Sequence, residues 1–571
     1  MGGTPQGAIR RARPSGRGFC LDDNNLSEVI TMRQTFLIVI GVMLVSVGCS
    51  KTGTSSVSAS TKSTPLTHNY RPEGDQTVHI DLTKIRSEEL KKVYQNIDEH
   101  FDEHVERLQK WIRQPSISNS GEGIQESAEM VKGFFDELGC QQSKVYDTGV
   151  TEWGLPGNPV VYAKCDEGAP KTVVIYWQYD TMPVTQPDNW RVPPFDAAIV
   201  EQGNFKKVLI ARGAANSKGG EMSEFNALMA IRAVRGKLPV NVIFVAEGDE
   251  ERMDIGLRNF VRDHQDLFKG ADIMMGGGSS EGCVYIQLTT SGKQWGRGPV
   301  QSDIHGSNKR SVDSPAWRHI KMLSSLVSED GNTPLVQGWN ENKVPPTPEQ
   351  LDALRKRVEK QDIKTMAENL GVARYIANDP FNIVRMQSYE TSFNLDGIWG
   401  GNMYADAAGA ILPNKITSKH NIRYVPNMNG MDLTRKIRAQ LDRNGYKDVE
   451  MKVIGDVPWS TVDPKNDMNS AATRMRDAFG VTNRRIRAAN HMPTPDEMGG
   501  YWPSYLFNEG KVGQRVAPNV HMPIGGGGVG QGGRAHAANE YYVIEGAGNT
   551  YGMAGAEKSI ATNLYNYAGL N

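Results

Sequence analysis

The chain has 571 residues, with 64 lysine and arginine side chains against 65 aspartate and glutamate. That length accommodates two to four domains, and the even charge balance argues against a polyanionic partner, so no nucleic acid is expected. With 38% hydrophobic and 23% charged residues, and no apolar run near the roughly 20 residues that cross a bilayer, the chain is globular and touches a membrane only through a terminus. Five cysteines (Cys20, Cys49, Cys140, Cys165, Cys283) are too few and too scattered for a disulfide framework. None sits in a closely spaced zinc or redox pair, so cysteine chemistry is not the expected main function.

The apolar run 36–47, broken only by Gly41 and Ser46, follows Met32-Arg33 and precedes Gly48-Cys49-Ser50. A charged start, a short apolar centre and a small residue at the cut are the layout of a secretory leader, and about twelve residues are too few for a spanning helix. The stretch Leu44-Val-Ser-Val-Gly-Cys49 resembles a bacterial lipoprotein box, whose cysteine is lipidated and becomes the mature N-terminus. Ser46 departs from the aliphatic residue usual there, which leaves plain cleavage and secretion open. Residues 1–31 then read as an upstream extension, 32–49 as the signal, and the Ser- and Thr-rich 50–84 as a flexible tether.

Helical spacing of Leu90, Val93, Ile97, Val105, Leu108 and Ile112 predicts a helix over 87–112, and a second follows over 124–138. Short β-rich runs at 159–163, 172–177 and 240–246 alternate with a helix at 220–234, the order of an α/β layered domain. The run Val173-Val-Ile-Tyr-Trp177 is apolar throughout, as in a strand covered on both faces. Residues after such strands lie at the carboxyl edge of the sheet, where open α/β sheets build their sites. Two polar clusters fall there, Gln178-Tyr-Asp180 and Glu247-Gly-Asp-Glu250-Glu251.

From about 292 to 456 the pattern changes to a charged helix over 348–370 and strands such as 419–425, an inserted α+β module. Helix returns over 470–479, followed by a glycine-rich loop, 525–533, and then Arg534-Ala-His536-Ala-Ala-Asn539-Glu540. The loop lacks the Lys-Ser/Thr ending of a phosphate-binding loop, which excludes nucleotide binding. No internal repeat is apparent.

In order along the chain stand Gln178-Tyr-Asp180-Thr-Met-Pro183, Arg212-Gly-Ala-Ala-Asn216-Ser-Lys218-Gly219, Glu247-Gly-Asp-Glu250-Glu251 and His536-Ala-Ala-Asn539-Glu540. Between the last two come His305-Gly-Ser307, Asn394-Leu-Asp-Gly397, Leu412-Pro413 and Arg423-Tyr-Val-Pro426. This series resembles the zinc aminoacylase, carboxypeptidase G and carnosinase family of metallohydrolases, nearest its carnosinase-like dipeptidases, over residues from about 85 to 571. The resemblance implies an α/β fold: a split catalytic domain with a mostly parallel sheet flanked by helices (85–291 and 457–571), and an inserted α+β lid and dimerisation domain (292–456).

It also implies the chemistry. In that family two zinc ions share a bridging carboxylate and a water, and a glutamate takes the water's proton as it attacks an amide carbonyl. Carried over position by position, Glu250 falls on the general base, Glu251 and His536 on ligands of one metal, and Asp180 on the carboxylate that orients a ligand of the other. His305 falls on a lid histidine that reaches across a homodimer. Asn394, Arg423 and the loop glycines Gly532 and Gly533 fall on substrate-binding positions. Read alone, His305 is a surface histidine, Arg423 a solvated or salt-bridged strand residue, and Lys218 a packing group.

Three ligand positions are substituted: Gln178 stands for a histidine, Asn216 for the bridging aspartate, and Gly278 for an acidic ligand. Two divalent ions about 3.5 Å apart repel by roughly 20 kcal/mol at an effective dielectric near 20, and of the ligand carboxylates that offset this only Glu251 is left. The expectation is therefore at most one firmly bound zinc, on Glu251, His536 and the Asn216 carbonyl, or none. Asp249 or Glu281 serves as a substitute ligand only if the local backbone departs from the family's. Three functions follow: a hydrolase of dipeptide-like or N-acyl amino-acid substrates in the bacterial envelope, a small-molecule-binding pseudoenzyme, or a repurposed metal-independent enzyme using Glu250.

Overall fold

A computed structural model describes residues 70–73, 79–276, 278–404, 406, 408–462, 465–481, 500–508, 516–530 and 532–571. The upstream extension, the leader with Cys49 and most of the tether lie outside the described residues. Within the stretch read as tether, Tyr70 is buried and its hydroxyl donates to Gln109 at 3.0 Å. Among the described residues no helix is long and apolar enough to cross a membrane.

The first catalytic segment runs α1 (Glu88–Glu99), α2 (Phe101–Ile112), α3 (Ile124–Glu137), β1 (Gln142–Tyr146), β2 (Val160–Cys165), β3 (Thr172–Gln178), β4 (Ala198–Gln202), β5 (Phe205–Ile210), α4 (Gly219–Arg235), β6 (Asn241–Glu247), α5 (Ile255–Asp263) and β7 (Ile273–Met275). The lid comprises β8 (Gly282–Ser291), α6 (Gly292–Trp295), β9 (Ile304–His305), α7 (Pro315–Ser324), α8 (Pro348–Val358), α9 (Ile363–Leu370), α10 (Pro380–Tyr389), β10 (Ser392–Phe393), β11 (Gly397–Trp399), β12 (Ile411–Leu412), β13 (Lys415–Tyr424), α11 (Gly430–Arg443) and β14 (Glu450–Val457). The chain returns through α12 (Asp467–Ala478), β15 (Ile524–Gly525), β16 (Gly532–Gly533), β17 (Tyr541–Glu545) and α13 (Met553–Ala568).

Two expected helices are each split. The first breaks at His100, whose backbone leaves the helical region (φ −101°, ψ 16°) while the apolar spacing continues past it. The charged helix ends at Val358 and restarts after Asp362, whose carboxylate accepts the Thr365 N–H and caps the new helix. In both places a single residue's capping or dihedral choice overrides a continuous hydrophobic stripe.

The main sheet has the strand order β1-β2-β6-β3-β7-β15, with β6, β3, β7 and β15 parallel and β1 and β2 antiparallel at one edge. Val173, Ile175 and Trp177 of β3 pack with Phe225 of α4 and Leu564 of α13, whereas Val174 faces Leu257 and Phe260 of α5. Helices cover both faces, which explains the uninterrupted apolar run. A disulfide joins Cys140 to Cys165 and ties the end of α3 to the end of β2; Cys283 is buried and free.

A second catalytic sheet, β16-β17-β5-β4, is antiparallel and was not legible in the sequence pattern. The lid sheet is β10-β13-β8-β14, with β11 also paired to β13. β8 precedes position 292, so the lid sheet begins earlier than the change in sequence pattern. Its run Val284–Leu288 alternates between buried and half-buried residues, as core strands of either domain do.

Beneath α7 a buried polar chain crosses the lid. His319 bonds Thr290 Oγ1 and Ser418 Oγ, both at 2.9 Å; Ser418 Oγ lies 2.8 Å from His420 Nε2, and His420 Nδ1 donates to the Asn394 carbonyl at 3.1 Å. Burial pushes both histidines down to about 4, and for His319 the neighbouring His420 adds to it. A lowered folded-state pKa means stability that is complete above the ordinary value of 6.5 and lost as pH falls to about 4. We predict that replacing His319 by Gln makes thermal unfolding less sensitive to acid across that window, with a difference of about 1–3 kcal/mol accumulating between its ends. Parallel wild-type and variant curves would show that His319 does not carry this dependence.

Candidate active site

The site forms at the carboxyl ends of β3 and β6. The backbone N–H of Gln178, the last residue of β3, is held by the Glu221 carboxylate of α4 at 2.6 Å. Two residues on, Asp180 is fully buried, and its two oxygens accept the backbone N–H groups of Glu250 (3.3 Å) and Glu251 (3.0 Å). One carboxylate thus holds the turn after β6 that presents both glutamates. The Tyr501 hydroxyl donates to the Glu250 carbonyl at 2.7 Å and secures the same turn from another direction.

Asn216 is placed from the other side. Glu540, beside β17, forms a buried ion pair with Arg212 at 2.6 Å, and its second oxygen accepts the N–H groups of Ala215 (2.9 Å) and Asn216 (2.8 Å). His536 lies in the tight loop between β16 and β17, where Arg534, His536 and Asn539 all have positive φ, near 60–65°. That backbone disfavours residues with side chains. The loop is held by the Ala538 carbonyl accepting from Arg534 Nε at 2.8 Å and by Asn539 Oδ1 accepting the Arg191 N–H at 2.7 Å. Gly532 permits the approach, because a Cβ there would lie 2.6 Å from that of Ala215.

Five side chains then meet. Gln178 Nε2 is 3.0 Å from Glu250 Oε2 and 3.3 Å from Asn216 Oδ1. Asn216 Nδ2 is 2.9 Å from Glu251 Oε1 and 3.1 Å from His536 Nε2, and His536 Nε2 is 3.0 Å from Glu251 Oε1. Glu251 is buried behind a half-exposed imidazole. Burial, with Glu251, Asp254 and Asp180 adding negative charge, holds Glu250 well above the carboxylate range, while the Gln178 hydrogen bond acts the other way. Burial and Glu251 push Asp180 up to about 8. Burial acts to lower His536, but its hydrogen bond to Glu251 and the charge of Glu251 outweigh that, and the imidazole is raised above its ordinary value.

The remaining expected residues lie apart from this cluster. His305 bonds Ser307 within its own turn, and Asn394 Nδ2 donates to Asp396. Arg423 forms an ion pair with Glu281 at 3.0 Å and lies 5.1 Å above the Tyr501 ring, so its charge is already met. Gly278 accepts from Ser504 through its carbonyl. Gly532 and Gly533 pack against Ala215 and the Tyr541 ring. Lys218 is buried and donates to the carbonyls of Trp111 and Gln114. Neither proposed substitute ligand turns to the centre. Asp249 accepts from Asn158 N, Gly256 N and Arg252, and Glu281 is occupied by Arg423. Sequence reading missed the roles of Tyr501, Glu221 and Glu540; Glu540 alone carried a signal, as the last residue of the His536 motif.

The donors present do not fit the two-zinc centre that the resemblance implies. Among the described residues, no group of three His, Cys, Asp or Glu side chains converges as a metal site. Toward Glu251 and His536 Asn216 presents an NH2 group, which has no lone pair to offer a metal, where the expectation placed its carbonyl. An aspartate at 216 would set two carboxylates about 3 Å apart, a repulsion of roughly 5–6 kcal/mol at an effective dielectric near 20. The amide removes that demand for a cation.

A split α/β domain with an inserted α+β lid, and paired glutamates beside a histidine at the sheet edge, is the architecture of a two-domain hydrolase. Residues 174–551 match peptidase family M20/M25/M40, and the chain belongs to that family. It is similar to the human Beta-Ala-His dipeptidase, 27% identical over 71% of this chain and 82% of the relative. It is equally similar to the Cys-Gly metallodipeptidase DUG1 of Candida albicans, 27% identical over 79% and 93%. The solved structure of the dipeptidase Dug1p from Saccharomyces cerevisiae, 24% identical, superposes with a TM-score of 0.69 over 84% of this chain and 98% of that one, and shares the fold.

Proposed function

We propose that the chain hydrolyses amide bonds in dipeptide-like or N-acyl amino-acid substrates, with Glu250 as general base. The observation that carries this reading is the Asp180-held turn, which sets Glu250 and Glu251 side by side against His536. The names of the two dipeptidase relatives support a dipeptide-like substrate. Glu250 takes a proton from the attacking water and returns it to the leaving amine. His536, half-exposed and backed by Glu251, turns positive charge toward the carbonyl oxygen as it becomes an oxyanion. The reading includes at most one zinc ion, on Glu251 and His536, and no step runs through it. Asn394, Arg423, Gly532 and Gly533 meet the substrate, with Arg423 shared between Glu281 and the ligand.

A second reading is favoured by the Gln178–Glu250 hydrogen bond, which occupies the base: the same cleft binds these ligands without turning them over. Replacing Glu250 by Gln distinguishes the two. Under the hydrolase reading kcat/KM on simple dipeptides falls by about 10²–10⁴. An unchanged rate removes Glu250 from the chemistry, and saturable binding without turnover by the unaltered chain selects the second reading.

We further propose that the protein is a lipoprotein or secreted protein of the bacterial envelope and pairs through its lid. The Cys140–Cys165 disulfide supports the location, since such bonds persist in oxidising compartments. The exposed lid side chains Ile398, Trp399, Met403 and Tyr404 support a second copy as partner. Mass spectrometry of the mature protein should find an N-terminus at lipidated Cys49, and an intact Met1 refutes the leader. Light scattering should give a dimer; a monomer at micromolar concentration takes the partner's lid, and with it His305, out of the site.

A further inference from the structure

We propose that Gln178 and Asn216 form a hydrogen-bonded amide bridge that replaces the metal centre as the scaffold of this site, so that Glu250, Glu251 and His536 keep one arrangement without a divalent ion. The inference rests on reading this cluster as the reaction centre, and it assigns both amides as positioning residues.

A metal ion draws carboxylate and imidazole lone pairs to one point. A primary amide NH2 does the same with two hydrogens, each directed at a lone pair. Gln178 Nε2 spans Glu250 and Asn216, Asn216 Nδ2 donates to Glu251 Oε1, and His536 Nε2 donates to the same oxygen, so the two amides and that carboxylate link both glutamates and the histidine in one chain of contacts. The orientation of each amide follows from its neighbours. Turning Gln178 over would face its oxygen to those of Glu250 and Asn216, and turning Asn216 over would face oxygen to Glu251 and nitrogen to nitrogen.

The bridge is anchored from behind by protein. Glu221 holds the backbone of Gln178, and Glu540, neutralised by Arg212, holds that of Asn216. Gln178 Oε1 is buried with no hydrogen-bond partner, so the NH2 contacts alone set that amide's direction. A centre arranged for metal would turn this oxygen inward. Asp249 and Glu281, the two carboxylates named as substitute ligands, are committed elsewhere.

The test uses the full mature chain, purified without chelator. Elemental analysis should find well under one divalent ion per chain, and neither EDTA nor zinc chloride should move the unfolding temperature. One or more ions surviving dialysis, or a lower unfolding temperature in EDTA, overturns the proposal. The double variant Gln178→His, Asn216→Asp should gain what the natural chain lacks: a zinc-dependent rise in unfolding temperature and the visible d–d absorption of bound cobalt(II). A purely structural role for the two amides would create neither signal, so a folded variant that gains neither overturns the bridge. If the variant folds only with zinc, the proposal is supported; if it does not fold at all, the measurements on the natural chain decide. All of these readouts are made without substrate. Failure of the hydrolase reading therefore appears as absent turnover with the metal results intact, and failure of the bridge appears in the metal results alone.

Discussion

The constraint on which the rest of the structure depends is the crowding of carboxylates at the carboxyl edge of the main sheet. Asp180, Glu250 and Glu251 meet around a single turn, with Glu247 and Asp254 buried directly behind it. Uncompensated charge in such a place costs several kcal/mol per group. At Asp180, Glu250, Glu251 and one oxygen of Glu247 it is met by hydrogen-bond donors: two backbone N–H groups, the two amides, the Tyr176 hydroxyl on Glu247 at 2.7 Å, and the imidazole of His536. Burial and mutual repulsion hold several of these acids, Asp180 and Glu250 among them, above their ordinary range.

Each donor is delivered by a different part of the fold. β3 ends at Gln178 and runs parallel to β6, in register with Gln178 beside Glu247, which places the two polar strand ends side by side. The second sheet brings His536 in a loop whose left-handed residues are tolerated because Glu540 and Arg212 lock the neighbouring segment. The lid contributes Arg423, which stacks on the same Tyr501 that holds the Glu250 carbonyl. Lid position and the geometry of the base are thereby joined through one aromatic ring.

The substitutions and the retained residues form a consistent set. Gln178 donates through its NH2 to Glu250 and Asn216, and Asn216 is hydrogen-bonded through both ends of its amide, a pattern unlike that of a site whose ligands have merely decayed. A buried polar group without partners is costly, whereas a connected network specifies one arrangement. Retention of Asp180, Glu250, Glu251 and His536 then has a local reason, because each is a partner in that network.

Residue order and hydrophobic period determined much by themselves. The apolar strand over 172–177, the helix over 220–234 and the polar clusters at strand ends defined the α/β class, and the order of motifs, through the family it resembles, nominated Asp180, Glu250, Glu251, Asn216 and His536. The elements are local properties, set by side-chain periodicity and by what may follow a buried strand, whereas the site residues are what the resemblance implies. Tertiary structure alone decided the rest. The helix breaks at His100 and 359–362, the sheet that carries His536, the pairing of Arg423 with Glu281, and the capture of Asp249 by Asn158 and Gly256 depend on partners distant in sequence or on single dihedral choices. So does the orientation of Asn216. A sequence shows an amide where an aspartate was expected, but only the arrangement of Glu251, His536 and Gln178 around it fixes which end of that amide faces the centre, and hence whether the position offers a metal a lone pair or offers its neighbours a proton.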